Sequence, residues 1–157
     1  MSRLIGRQTG RTAKVLWLVA FVVWVCVIWG HSLMPAPVSN SESDSAVVLL
    51  TPLFNALGIT DSGVATHIVR KTAHFSEYAL LGFINLGMMR AWATDAAWAY
   101  RLAVIPWLVI PCIDETIQLF VPGRDGRITD ILIDLSGGLL GILIMHLLLR
   151  RSDEARA

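Results

Sequence analysis

Residues 129–149 read TDILIDLSGGLLGILIMHLLL, and this stretch decides the fold. It is apolar for long enough to cross a bilayer, which takes about 20 residues. Yet two carboxylates, Asp130 and Asp134, stand one turn apart near its start. A charge in hydrocarbon costs at least roughly 2–3 kcal/mol, so such residues turn inward and find partners. At about 100° per residue, Asp130, Asp134, Gly137 and Gly141 fall on one narrow stripe. Gly137 and Gly141 form a small-xxx-small pattern that lets another helix approach closely. The stretch therefore predicts a membrane helix that packs tightly on a neighbour below its acids and meets polar groups at their level.

Three more stretches are long enough to span: Val15 to Met34, Ala73 to Trp92 and Leu102 to Val121. With 55% hydrophobic residues and a mean hydropathy of +0.61, the chain is too apolar for a soluble domain of 157 residues. The reading is a single membrane domain over 15–149, flanked by a basic N-terminus, 1–14, and a polar tail, 150–157. The net charge of +1 points to no partner, and no basic run interleaved with aromatics suggests nucleic acid. Cys26 and Cys112 both sit inside apolar stretches, which favours small membrane residues over a disulfide or metal pair. Trp17, Trp29, Trp92, Trp98 and Trp107 lie near span ends, at the interfacial depth tryptophan prefers.

The connections complete the expectation. Arg3, Arg7, Arg11 and Lys14 precede the first span, and the long apolar run without a small-residue cleavage site reads as an uncleaved anchor. Pro35, Pro37 and the run Ser39 to Ser45 read as loop. Ala46 to Leu57 is apolar but too short to span, so a short surface or re-entrant helix is expected there. Gly58, Asp61, Ser62 and Gly63 break it, and Val64 to Thr72 extends the second span as helix. Arg90 to Arg101 reads as a polar connection. Pro106 and Pro111 predict a kink or local unwinding in the third span. Pro122 to Arg127 is a tight charged turn. The fold class is thus all-α: a small polytopic bundle of four transmembrane helices plus a short helix in the first outer loop.

Lys and Arg counts orient it. The side with both termini and the 90–101 connection holds Arg3, Arg7, Arg11, Lys14, Arg90, Arg101, Arg150, Arg151 and Arg156. The other holds Arg70, Lys71, Arg124 and Arg127. The positive-inside rule places both termini in the cytoplasm of a cytoplasmic-membrane protein.

Depth then gathers the polar residues. At about 1.5 Å per residue, Glu77 lies roughly 9 Å along its helix from Lys71, and Asp114 lies about 12 Å in from Pro122. Asp130 is at the mouth of the last span and Asp134 one turn below. Lys71, His74, Glu77 and Tyr78 share one helix face, and Asp114, Glu115 and Gln118 share another. The expected site therefore sits in the outer part of the membrane. Ligand-binding candidates are Lys71, Tyr78, Gln118, Arg124, Arg127, Asp130 and Asp134, and His74, Glu77, Asp114 and Glu115 are catalytic candidates in the case of an enzyme. Grouped acids raise one another's proton affinity unless cations or hydrogen bonds intervene, and His74 and Glu77 can exchange protons. Arg124 and Arg127 suit phosphate or carboxylate. Simpler roles compete: Asp130 favours a helix N-terminus, Lys71 can snorkel, Arg124 and Arg127 are ordinary turn charges, and the lone histidines His31 and His146 read as structural.

Three segments carry a resemblance. Lys71, His74, Phe75, Glu77 and Tyr78 give K-x-x-H-F-x-E-Y; Asp114, Glu115, Gln118, Phe120, Pro122, Gly123 and Arg124 give D-E-x-x-Q-x-F-x-P-G-R; Asp130, Asp134 and either Gly138 or Gly137 give D-x-x-x-D-x-x-G. In this order and spacing they resemble the VanZ-like membrane protein family. The resemblance implies a small helical bundle in a bacterial cytoplasmic membrane. The family takes its name from a member linked to teicoplanin resistance, and the resemblance does not carry that role to this chain.

The leading expectation is an outward-facing intramembrane site that binds an amphiphile of the envelope: a lipid-linked cell-wall precursor, a phospholipid or a lipidated glycopeptide. The alternatives are an enzyme acting on a lipid headgroup, a small transporter, which would need an oligomer, and a structural partner. For an enzyme, Asp114, Glu115, Asp130 and Asp134 offer oxygen donors for a divalent metal, but Lys71, Arg124 and Arg127 offset their charge, so no metal or other cofactor is assigned. No HExxH, Ser-His-Asp order, cysteine nucleophile or glycine-rich phosphate loop is present.

Overall fold

A computed structural model describes residues 10–155; Arg3, Arg7 and Arg156, used above to orient the chain, lie outside the described residues. Among these there are five helices and no strand: α1 (Arg11–Ser32), α2 (Ala36–Ala56), α3 (Ser62–Trp92), α4 (Ala96–Gln118) and α5 (Ile128–Glu154). By length and composition α1, α4 and α5 can each cross a membrane. Their outward faces carry leucine, valine and isoleucine, as on Leu16, Val23, Ile105, Leu132 and Leu143, which suits a lipid surround. The longer α3 runs beside them but carries Arg70, Lys71, His74, Glu77, Asn85 and Arg90, which lower its apolar content.

The α3–α5 pair is the most extensive helix contact in the protein. A Cβ placed on Gly137 would meet the Phe75 carbonyl, one on Gly141 the Ala79 carbonyl, and one on Gly82 the Gly138 carbonyl. The glycine stripe read from the sequence is therefore a backbone-to-backbone seam. Matching positions rise together along it, Lys71 with Asp130, His74 with Asp134 and Ala79 with Gly141, so α3 and α5 run parallel. Parallel neighbours need a helix returning between them, and α4 supplies it. Helix α1 runs opposite to α3: Trp92 donates to the Lys14 carbonyl at one end, and His31 meets Glu77 toward the other. Apolar packing of Val25, Ile28, Tyr78, Leu81 and Ile110 joins α1, α3 and α4 beneath the polar end.

Three expectations change. The segment 35–45 is not loop: α2 covers it and continues over the expected short helix. Pro37 falls in the first turn, where a missing N–H leaves no bond unmade, and Ser43 and Ser45 bond back to the carbonyls of Ser39 and Ser41. Side chains that usually favour loops are thus absorbed by the helix itself. The 90–101 connection shrinks to Ala93–Asp95, because Asp95 accepts from the Trp98 amide and starts α4 at Ala96. Helix α4 also remains one helix through Pro106 and Pro111; the Ala103 carbonyl, about one turn before Pro106, accepts from buried Asn85 of α3. Both cysteines are free and face outward from the bundle.

Candidate functional site: a buried polar cluster at one end of the bundle

The seam fixes the first two pairs of the site. Lys71 hydrogen-bonds and ion-pairs with Asp130, and the His74 ring Nδ1 lies 3.2 Å from Asp134 Oδ1. From α4, Asp114 and Glu115 close the cluster, both buried. One nitrogen of His74 and one oxygen each from Asp114, Glu115 and Asp134 lie within 4.8 Å of one another. The Gln118 amide reaches Asp114 Oδ2 at 3.4 Å and Glu115 Oε1 at 3.2 Å. Glu115 Oε2 accepts the Arg127 backbone N–H at 2.7 Å, tying the end of α4 to the start of α5. Three helices, α3, α4 and α5, thus bring these residues together.

Two of the expected residues do different work. Arg124 lies on the α4–α5 turn and is half-buried. Its Nε donates to the Met34 carbonyl at 3.0 Å and its Nη2 to the His31 carbonyl at 2.8 Å. It bonds carbonyls at and just beyond the C-terminal end of α1, where helical partners run out; the His31 carbonyl also accepts the Met34 N–H at 3.1 Å. Burial, helped by nearby Arg70, lowers its proton affinity from the ordinary arginine value, without threatening the charge at neutral pH. Arg127 contributes its backbone, and its exposed guanidinium pairs with exposed Asp125 at 3.2 Å, a contact of small energetic weight.

Helix α1 supplies what the sequence reading missed. Ser32 donates to Asp114 Oδ1 at 2.5 Å, His31 Nδ1 lies 2.8 Å from Glu77 Oε1, and Trp24 donates to the Glu77 carbonyl at 2.9 Å. His31 is thus a rim residue of the site. The signal for it was available: His31 and Ser32 end the first span at the same membrane depth as the other polar residues. His146, by contrast, meets Tyr100 at 2.5 Å near the opposite end of the bundle, away from the cluster.

Burial grades the site. Asp130, Asp134 and Gln118 are fully buried, and Asp114 and Tyr78 nearly so. The side chains of Lys71, Glu77 and His31 remain 19%, 21% and 45% exposed. Four polar atoms in this region are buried without a hydrogen-bond partner: Tyr78 OH, Gln118 Oε1, Asp130 Oδ2 and Asp134 Oδ2. Buried polar atoms are nearly always paired in native proteins, so a group of them at one place is informative.

The VanZ/LLP1 family model matches residues 17–149. The chain belongs to that family. The match runs from the first turns of α1 almost to the end of α5, so it includes α1 and α2, which the three sequence motifs left out. No curated protein and no solved structure matches the chain. Every motif residue named for the VanZ resemblance lies on α3, on α4, on α5 or on the turn between the last two. The family pattern thus corresponds in space to the polar cluster, the glycine seam and the arginine that holds α1.

Proposed function

We propose that this VanZ/LLP1 protein binds the polar headgroup of an envelope amphiphile at the rim formed by Lys71, Glu77 and His31, above the buried cluster. The observation that carries the reading is the unpartnered buried Oδ2 of Asp130, whose other oxygen pairs with Lys71 where that side chain reaches the surface. A membrane protein has little reason to keep such atoms unless something meets them. The rim offers an ammonium, an imidazole and a carboxylate, which complement phosphate, hydroxyl and amide groups. An acyl tail would leave sideways along the apolar helix faces. Lipid-linked cell-wall precursors, phospholipids and lipidated glycopeptides share this chemistry, and a change in glycopeptide susceptibility is one readout of the first and third.

The same reading gives α1, α3, α4 and α5 as four spans of the cytoplasmic membrane, with both termini inside. The up–down alternation of the four helices and the excess of Lys and Arg at the end opposite the site support it. Native mass spectrometry of the purified protein with bacterial lipid extract tests the binding. Adducts selective for one headgroup class are expected with the wild type and not with Glu77→Gln or Lys71→Met of unchanged helix content. Equal adducts on wild type and both variants would remove the rim from the account.

A further inference from the structure

We propose that His74, Asp114, Glu115 and Asp134 form a site for one divalent cation that takes mixed imidazole and carboxylate donors: Mn2+, Fe2+ or Zn2+. Their four donor atoms already lie within 4.8 Å of one another. Donors bound to one such ion at about 2.0–2.2 Å stand roughly 3.3–3.6 Å apart in a tetrahedral site and up to about 4.4 Å apart across an octahedral one, so the cluster closes by about 0.4–1.5 Å on binding. The donors come from three helices that the glycine seam and the α4–α5 turn hold in register.

Acids crowded together are not by themselves a site, and two features add to the crowding. The first is the pattern of used and unused oxygens. Asp114 Oδ1 is held by Ser32, Glu115 Oε2 by the Arg127 amide, and Asp134 Oδ1 by His74. Asp114 and Glu115 are thus each oriented through one oxygen by a partner outside the four donors, as outer partners orient metal ligands. The other oxygens, Asp114 Oδ2 and Glu115 Oε1, have only the long contacts to Gln118, and Asp134 Oδ2 has none. The second is Gln118 itself: it is fully buried, its amide lies against Asp114 and Glu115, and its Oε1 has no partner. An unpaired amide oxygen on a side chain that also touches two of these carboxylates is a further hard donor available to a cation.

Charge points the same way. Lys71 already pairs with Asp130, and Arg124 bonds the carbonyls of α1, so neither charge faces the four donors. That leaves three carboxylates with one imidazole in a water-poor site, and a divalent cation compensates them directly. The imidazole favours Mn2+, Fe2+ or Zn2+ over Mg2+ and Ca2+, whose preferred donors are all oxygen.

The test needs no lipid, so its failure leaves the headgroup reading standing, and lost lipid binding would leave this one standing. Full-length protein purified in detergent without chelator is analysed for Mn, Fe and Zn by plasma mass spectrometry. About one equivalent of one of them is expected. After chelator stripping, added MnCl2 or ZnCl2 should raise the melting temperature by several degrees, and MgCl2 should not. Asp134→Asn and Glu115→Gln should each lose the response, and Asp125→Asn, an exposed turn residue, should keep it. Where a variant does not fold, the wild-type metal content and the stripped-protein response decide alone. Wild type holding none of the three metals and giving no response to MnCl2 or ZnCl2 overturns the proposal. So does an undiminished response in folded Asp134→Asn and Glu115→Gln.

Discussion

Replacing Gly141 by alanine tests the seam on which the whole site depends. An alanine Cβ there would overlap the Ala79 carbonyl, and it would also stand 2.7 Å from the Phe83 nitrogen. These are backbone atoms, so no side chain can swing away. The two helices must separate, by about 1–2 Å if ordinary contact is to be restored. Overpacking of this kind typically costs about 1–3 kcal/mol. Separation also strains the Lys71–Asp130 and His74–Asp134 pairs, of which the second is already 3.2 Å long. For a chain of this size, 1–3 kcal/mol corresponds to roughly 2–12 °C in melting temperature. Thermal unfolding in detergent, followed by circular dichroism, reads it. Gly30→Ala on α1 is the control, because a Cβ there meets nothing within 4 Å; it should leave stability unchanged or slightly raised, as helix propensity dictates. Gly141→Ala melting with the wild type, or Gly30→Ala falling as far, would refute the close α3–α5 contact.

Other perturbations give separate expectations. Arg124→Lys should not restore what Arg124→Ala loses, since one ammonium cannot reproduce the planar donor pair on the His31 and Met34 carbonyls; limited proteolysis should show the α1–α2 junction opening in both. In a double-mutant cycle, Lys71→Met with Asp130→Asn should be less destabilised than the sum of the single variants, by about 1–3 kcal/mol, because each single change strands a partner, Asp130 buried and Lys71 half-buried. Asn85→Leu should lower stability by roughly 1–3 kcal/mol in the same melting assay, because the bond to the Ala103 carbonyl beside Pro106 is lost.

Much of the site was legible because its residues break a strong rule. Carboxylates such as Asp114 and Asp134 stand out against apolar sequence, and helical periodicity and depth are enough to gather them with His74, Glu115 and Gln118. The glycine stripe was legible for the same reason, as small residues at a fixed spacing. Helix α2 was not, because its serines and Pro37 signal a loop locally, and only the back-bonding of Ser43 and Ser45 and the first-turn position of Pro37 make them compatible with helix. The role of Arg124 was hidden too. Its partners are backbone carbonyls 93 and 90 positions away, at His31 and Met34, and a main-chain acceptor leaves no mark on residue type. His31 and Ser32 were passed over because a lone polar pair at a span end is common, and only the packing of α1 against α3 and α4 brings it to Glu77 and Asp114.

The claim beneath all of this is that polar residues from four helices meet in one place. Cysteine cross-linking in membranes tests it most directly, in a background with Cys26 and Cys112 replaced by serine. Ser32→Cys paired with Asp114→Cys joins two side chains that touch in the structure although 82 positions apart in the sequence. Mild oxidation should give a disulfide-linked peptide pair, read by mass spectrometry after digestion, while Ser32→Cys with His146→Cys should give none. Cross-linking of the second pair, or failure of the first in folded protein, would contradict the assembly of the site.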